Sequence, residues 1–291
     1  MKKIDTLIQD IEQTLQGKNG WKATVGKYMA ENIASMAEAR FAKPQKPRGY
    51  LSLSSVGTPC QRKLWYKINR TDLGESFDGA GLLKFFYGDM IEELILALAD
   101  ISGHKVEGTQ TRMFVAGIRG HRDAVIDGVT IDVKTTTDYG FKKFKEGNLR
   151  EDDPFGYVSQ LSSYVFAAKD DPLVTDKTTG AFLVVNKVTG EMCLDVYDFS
   201  EEIKTKEQEV KDIKTMVSFT EPPARAYEPV PQSDTSENMK LDKPCTFCEY
   251  KKQCFPEARK FLYNGGKRAE YLTKIVKLPK VPEDLTYNEE N

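Results

Sequence analysis

Gly120-His121-Arg122-Asp123-Ala124-Val125-Ile126-Asp127-Gly128-Val129-Thr130-Ile131-Asp132-Val133-Lys134-Thr135 is the stretch on which the reading of this chain turns. Asp123 to Ile126 and Val129 to Val133 alternate in the manner of strands around Asp127-Gly128, a dipeptide suited to a tight hairpin turn. Asp132 and Lys134 are two residues apart and therefore share one strand face, while Val133 faces the other way, towards a core. Asp123, on the neighbouring strand, can bring its carboxylate to the same place. A hard cation such as Mg²⁺ or Mn²⁺ prefers oxygen ligands and keeps room for water and a substrate phosphate. Carboxylates beside a lysine thus fit metal-dependent phosphodiester cleavage, with Asp123, Asp132 and the Val133 carbonyl as ligands. Lys134 would orient or deprotonate the attacking water and stabilise charge developing on the phosphate.

Working outward, Leu82 to Ile101 reads as a long apolar helix carrying Glu92 and Glu93. Glu92 would complete the ligand set; Glu93 competes with it, and Asp127 competes with Asp123, from which eight residues separate Asp132. The frame Gly120-x-x-Asp123 and the better turn at Asp127-Gly128 favour Asp123. Pro154 to Ala168 reads as a helix that starts at a proline. It places Tyr157, Gln160 and Tyr164 on one face, where an amide and a phenol can contact a scissile strand. Lys105–Glu107 and Arg112–Val115 read as short strands, Phe182–Asn186 with Met192–Val196 as a second hairpin, and Glu201–Val217 as a charged helix. Upstream, 1–16 and about 21–41 read as helices, followed by the Pro-rich basic linker 43–49. Residues 221–240 read as an acidic connector and 279–291 as a flexible tail.

With 291 residues, 40% hydrophobic and 30% charged, the composition is that of an ordinary globular protein with one sizeable core. No apolar run approaches a membrane span, and the first residues lack the apolar stretch of a signal peptide. The expected compartment is the cytoplasm, or a host cytoplasm for a viral chain. The net charge of −2 is unevenly spread, since Arg40 to Arg70 holds eight Lys or Arg and no Asp or Glu. Such a stretch can follow a phosphate backbone, or be a solvated charged face. Within it, Arg62, Lys63 and Tyr66 set cations beside an aromatic ring in the way single strands are bound. Trp65 fits a core better, and Phe141-Lys142-Lys143-Phe144-Lys145 suits either a contact or an ordinary amphipathic helix. Five cysteines in a reducing compartment point away from disulfides and towards metal or cluster ligation. Cys245-x-x-Cys248-x5-Cys254 with the distant Cys60 offers four thiolates, which suit zinc and a [4Fe–4S] cluster alike. Cys193 lies in a strand and reads as a small buried hydrophobe.

Gly88-x-x-x-Glu92, Gly120-His121-Arg122-Asp123, Ile131-Asp132-Val133-Lys134-Thr135 and Tyr157-x-x-Gln160-x-x-x-Tyr164 together resemble the PD-(D/E)XK nucleases, in particular the RecB-type branch. Cys60 with the C-terminal triplet is similar to the iron-staple subgroup that includes AddB and the CRISPR-adaptation nucleases. The resemblance spans about Ser54 to Pro256. It implies an α/β fold with a mixed central sheet flanked by helices, tied by a [4Fe–4S] cluster on Cys60, Cys245, Cys248 and Cys254, with zinc as the alternative. It also implies a Mg²⁺- or Mn²⁺-dependent exonuclease acting on DNA ends, mostly on single strands. Gln160 and Tyr164 would position the DNA. Glu92 stands where this branch often has histidine, which leaves metal binding in place but bears on metal preference.

The resulting expectation is a helical N-terminal extension over 1–49, a nuclease domain with its cluster over 50–278, and a tail over 279–291. Two rival functions fit less of the pattern. One is a non-catalytic DNA-end-binding partner in recombination, against which stands the full set of acids and lysine. The other is a structure-selective endonuclease.

Overall fold

The computed structural model describes residues 2–43, 48–76 and 78–289. In chain order the helices are α1 (Leu7–Leu15), α2 (Ala23–Phe41), α3 (Leu53–Val56), α4 (Gln61–Asn69), α5 (Gly79–Ile101), α6 (Asp138–Lys145), α7 (Tyr157–Ala167), α8 (Glu202–Met216), α9 (Lys243–Thr246), α10 (Lys251–Cys254) and α11 (Thr286–Glu289). The strands are β1 (Val106–Glu107), β2 (Thr111–Val115), β3 (Ile118–Arg122), β4 (Ala124–Ile126), β5 (Val129–Thr136), β6 (Thr179–Asn186), β7 (Met192–Asp198), β8 (Val230–Pro231), β9 (Met239–Lys240), β10 (Arg259–Tyr263) and β11 (Arg268–Lys274). The chain divides into two compact units, one of residues 1–46, 51–57 and 77–214, the other of 47–50, 58–76 and 215–291. No helix among the described residues is long and apolar enough to cross a membrane.

The first unit is mixed α/β. Its central sheet has the order β1-β4-β5-β6-β7, antiparallel throughout except for the parallel pair β5 and β6. That parallel pair needs a long crossover, which α6 and α7 supply. Alternation along the strands sorts the two faces. Ile131, Val133, Ala181, Leu183 and Val185 join Leu7, Ile11, Ile95 and Leu98 in one core, whereas Phe182 and Val184 meet Phe141, Phe144, Leu161 and Val165 in another. Helices therefore cover both faces of a mixed sheet. The turn between β4 and β5 has Asp127 at φ 50° and Gly128 at φ 85°, two successive left-handed residues, as the dipeptide predicts. Asp127 is occupied there: its carboxylate accepts the Lys105 N–H at 3.0 Å and lies 2.6 Å from His104 Nδ1. The other ring nitrogen of this buried histidine is 3.1 Å from Asp10 of α1.

Several expectations are corrected. Residues 2–43 belong to the first unit instead of forming an extension, because Leu7 and Ile11 are fully buried in the sheet core. Within the expected linker, Pro44, Gln45, Lys46 and Pro47 lie outside the described residues. Ile118–Arg122, not foreseen as a strand, pairs with β2 through a turn whose Ala116 and Gly117 both have positive φ. Residues 50–278 do not make one domain, since both Cys60 and the C-terminal cysteines fall in the second unit. There, the order β10-β11-β9-β8 makes a second sheet, so the supposed connector 221–240 contributes two of its strands. The supposed tail is held as well. Tyr287 is buried edge-on against Tyr271 at 5.0 Å, and Glu283 accepts from Arg259 at 2.7 and 2.5 Å.

One buried acid in β7 sits apart from the other acids of the sheet. Asp195 accepts the Tyr197 hydroxyl at 2.5 Å, and burial pushes its carboxyl up to about 6. A carboxyl raised in the fold favours folding most below its unfolded pKa, and that advantage is lost as pH rises through the raised value. Asp195→Asn keeps an acceptor for Tyr197 and removes the buried charge. The expected result is a gain of about 1 kcal/mol at pH 7.5 that disappears near pH 4, read from urea melts at the two pH values.

Candidate active site

The site is assembled on β5. Thr130, Asp132 and Lys134 point to the face opposite Ile131 and Val133, as a two-residue period requires. Asp132 is 1% exposed, and Lys134 forms an ion pair with it. Asp123 sits where β3 gives way to β4, and its Oδ2 accepts the Val133 N–H at 2.8 Å. The carboxylate of Asp123 is thereby pinned to the backbone of the strand that carries Asp132. Val133 contributes its N–H to Asp123 and its side chain to the core. The third acid arrives from α5. Glu92 accepts from Gln110 Nε2 at 2.6 Å, whereas Glu93, one helical step round, accepts from Asn32 of α2 at 3.0 Å. The neighbour is thus drawn to α2, and Glu92 is the acid that feels Asp132.

Electrostatics follow from crowding three carboxylates around one ammonium. Burial first, then the charge of Asp132, raises Glu92 to about 7. Burial, then Asp132 and Glu92, holds Asp123 well above the usual carboxylate range. Asp132 is raised by burial, against the pull of Lys134. For Lys134, burial acts downward but is outweighed by Asp132 and then Asp123, so its pKa rises. With these acids beside it and no cation among them, the lysine is held as a cation, placed to orient and neutralise. One lysine cannot balance three ionised acids, so their ionisation is opposed until a divalent cation, which takes hard oxygen donors, compensates it.

Helix α7 closes the site, and its placement depends on glycines. Gly156 precedes the helix at φ 73°, and its backbone lies against Gly57. A methyl group added to either would stand within 2.2 Å of the other's carbonyl oxygen. From α7, Gln160 Nε2 donates to Asp132 Oδ1 at 3.1 Å and lies 3.4 Å from the Tyr164 hydroxyl. Tyr157 lies beneath Lys134, whose Nζ is 4.8 Å from the ring centroid, a cation–π contact. Tyr164 is 2% exposed, which corrects its expected role. The ring fills the space that Gly120 leaves, where a Cβ would be 2.9 Å from Tyr164 Cε1, so it supports the site from below instead of touching a substrate. Gln160 likewise spends its amide on Asp132.

Two residues of this site were not foreseen. Gln110 lies in the turn before β2, with no motif to mark it. Arg122, fully buried, donates to Asp171 at 2.8 Å and backs the turn at Gly108. Its position inside the Gly120-x-x-Asp123 frame was the available signal.

The second unit collects Cys60, Cys245, Cys248 and Cys254, all free thiols. Burial first, then the neighbours Cys248, Cys60 and Cys254, raises Cys245 to about 12. Burial raises Cys248 to about 11, although the Tyr250 N–H donates to its sulfur at 3.4 Å. Four soft donors within electrostatic reach of one another are the right chemistry for zinc or an iron–sulfur cluster. Among the described residues, no three His, Cys, Asp or Glu side chains are already drawn together as a ready metal site, here or around Asp132. Cys193 is separate, in β7.

The residues expected to contact DNA in this unit have partners within the protein. Arg62 donates to the Pro223 carbonyl at 2.7 Å, lies 5.5 Å from the Tyr66 ring and bonds to Cys254. Lys63 pairs with Glu249 at 3.1 Å, Tyr66 is buried and stacked on Tyr250, and Trp65 donates to the Phe219 carbonyl at 2.8 Å. These contacts tie α4 to the rest of the unit and bring Arg62 onto Cys254, since polar atoms that folding covers must find partners. Phe141 and Phe144 are core, so the lysine-rich α6 is an amphipathic helix.

No family model matches the chain, and no curated protein matches it. Among solved structures, the chain is similar to one described as "Crystal structure of SSO0001", at 13% identity and a TM-score of 0.41, over 77% of this chain and 94% of that one. A likeness of that strength carries no argument about activity.

Proposed function

We propose that this chain is a metal-dependent deoxyribonuclease with a core of the PD-(D/E)XK type, acting on DNA ends with a preference for single strands. The observation that supports the reading is the surplus of carboxylate, buried Asp132 with half-buried Glu92 and Asp123, beside the single ammonium of Lys134. Such an arrangement is costly without a cation and suited to one. Glu92, Asp123 and Asp132, with the Val133 carbonyl, would hold Mg²⁺ or Mn²⁺. When bound, the ion supplies Lewis acidity at the scissile phosphate. The chain's own groups do the rest. Lys134 neutralises charge growing on the phosphate oxygens and orients the incoming water, and the Tyr157 ring fixes the direction of its ammonium. Gln160 keeps Asp132 in one rotamer, and the Val133 N–H does the same for Asp123. The cysteines would hold a [4Fe–4S] cluster, or zinc, as a structural tie within the second unit.

The test is degradation of end-labelled linear and closed-circular single-stranded DNA with Mn²⁺ or Mg²⁺, by protein purified without oxygen, compared with Lys134→Ala. Loss of linear DNA alone, absent in the variant, is the expected result. Cleavage of circles would replace the end-directed reading with an endonuclease. No cleavage by metal-loaded wild type would overturn catalysis and leave a DNA-end-binding protein.

A further inference from the structure

Gln110 stands in a turn that its own side chain does not need. Its φ is 50°, in the left-handed region that non-glycine residues adopt sparingly. Gly108 in the same turn is also left-handed, at φ 55°, and Thr111 closes the turn by donating to the Gly108 carbonyl at 2.8 Å. The backbone is thus shaped without help from the amide of residue 110. Two bonds instead tie this residue to the acids. Its backbone N–H donates to the Asp123 carbonyl at 3.1 Å, and its Nε2 donates to Glu92 Oε1 at 2.6 Å.

We infer that Gln110 is a positioning residue for the metal-binding carboxylates, joining the helix acid Glu92 to the strand that carries Asp123. The inference rests on the metal-dependent reading of this site. A glutamate on a helix has free torsions, and ordering them at the moment of metal binding weakens the binding. A neutral amide that donates to one carboxylate oxygen fixes the rotamer without adding charge, and leaves the second oxygen to face a cation. Hydrogen-bond partners behind ligating carboxylates commonly govern affinity in this way. A left-handed glutamine is a local conflict between backbone preference and residue type, and such conflicts gather at functional sites.

The structural and positioning roles predict opposite orders of merit. If the residue serves only the turn, glycine is the better choice, because it adopts positive φ without steric cost. If it serves Glu92, glycine is among the worst. The experiment uses the full chain and measures Mn²⁺ binding by calorimetry and by the electron paramagnetic resonance of free Mn²⁺, alongside melting in EDTA. Gln110→Gly is expected to melt at or above the wild-type temperature yet bind Mn²⁺ about tenfold or more weakly. Gln110→Asn tolerates the same backbone but is one methylene short, and is expected to lose affinity too. Wild-type Mn²⁺ affinity in both variants would overturn the inference while leaving the metal site standing. Absence of Mn²⁺ binding by the wild type itself would overturn both the inference and the reading beneath it.

Discussion

Asp123→Asn is expected to abolish DNA hydrolysis while making the metal-free protein more stable. The asparagine oxygen can still accept the Val133 N–H that Asp123 takes at 2.8 Å, so the local bonding survives. What disappears is a carboxyl whose ionisation is opposed by burial and then by Asp132 and Glu92. The ion pair of Lys134 with Asp132 is left intact. In EDTA at pH 8 the variant should melt above the wild type, by about 2–4 °C for each kcal/mol of repulsion relieved in a chain of this size. The sign with pH follows from linkage. A carboxyl raised in the fold stabilises at low pH and loses that contribution as pH rises through the raised value. The variant's advantage therefore fades towards acid pH. Adding Mn²⁺ should reverse the order, because the wild type gains the binding free energy and the variant lacks a ligand. Losing several kcal/mol of transition-state stabilisation corresponds to about 10³-fold or more in rate. A variant that melts below wild type in EDTA at pH 8 would contradict the picture of a strained, cation-ready cluster.

The second large effect is expected at Cys248. The second unit has a small core, formed around Leu241, Phe255, Ala258, Tyr271 and Tyr287. Small units rarely hold together on apolar burial alone, and a bound metal or cluster commonly supplies the missing stability. Burial and neighbouring groups raise the Cys245 and Cys248 thiols, so if the cysteines ligate a metal as proposed, folding and metal loading would be coupled there. Cys248→Ser is expected to lose bound metal and to expose residues 215–289 to limited proteolysis. Cys193→Ser, in β7 of the other unit, should keep both metal and resistance. Metal analysis decides the cofactor: about four iron atoms per wild-type chain identify a [4Fe–4S] cluster, and about one zinc with no iron identifies a zinc site. Wild-type metal content in Cys248→Ser would remove the cysteines from the ligand set.

These expectations draw unequally on sequence and structure. The alternation of Ile131, Asp132, Val133 and Lys134 is a local property, because successive side chains of a strand must point to opposite faces. The Asp127-Gly128 turn is equally local, since few dipeptides accept two left-handed residues in succession. Helix α5 announced itself by length and apolar content. Tyr164 was misplaced because a period of four residues shows that Gln160 and Tyr164 share a face, but not what that face meets. The answer lies at Gly120, about forty residues away, where the missing side chain admits the ring. The same holds for Arg62 and Tyr66. A cation beside an aromatic looks like a nucleic-acid contact until Pro223, Cys254 and Tyr250 arrive from the far end of the chain to occupy it.

The sequence by itself determined the strand pair, the tight turn that joins it and the shared face of Asp132 and Lys134, because each is written in short-range spacing and residue chemistry. Only the tertiary structure decided that Glu92 and not Glu93 faces Asp132, that Gln110 reaches the acid, and that the cysteines gather in a unit distinct from the carboxylates. The physical reason is range: backbone geometry sets which way a side chain leaves its element, while burial and charge pairing depend on partners that only folding brings near.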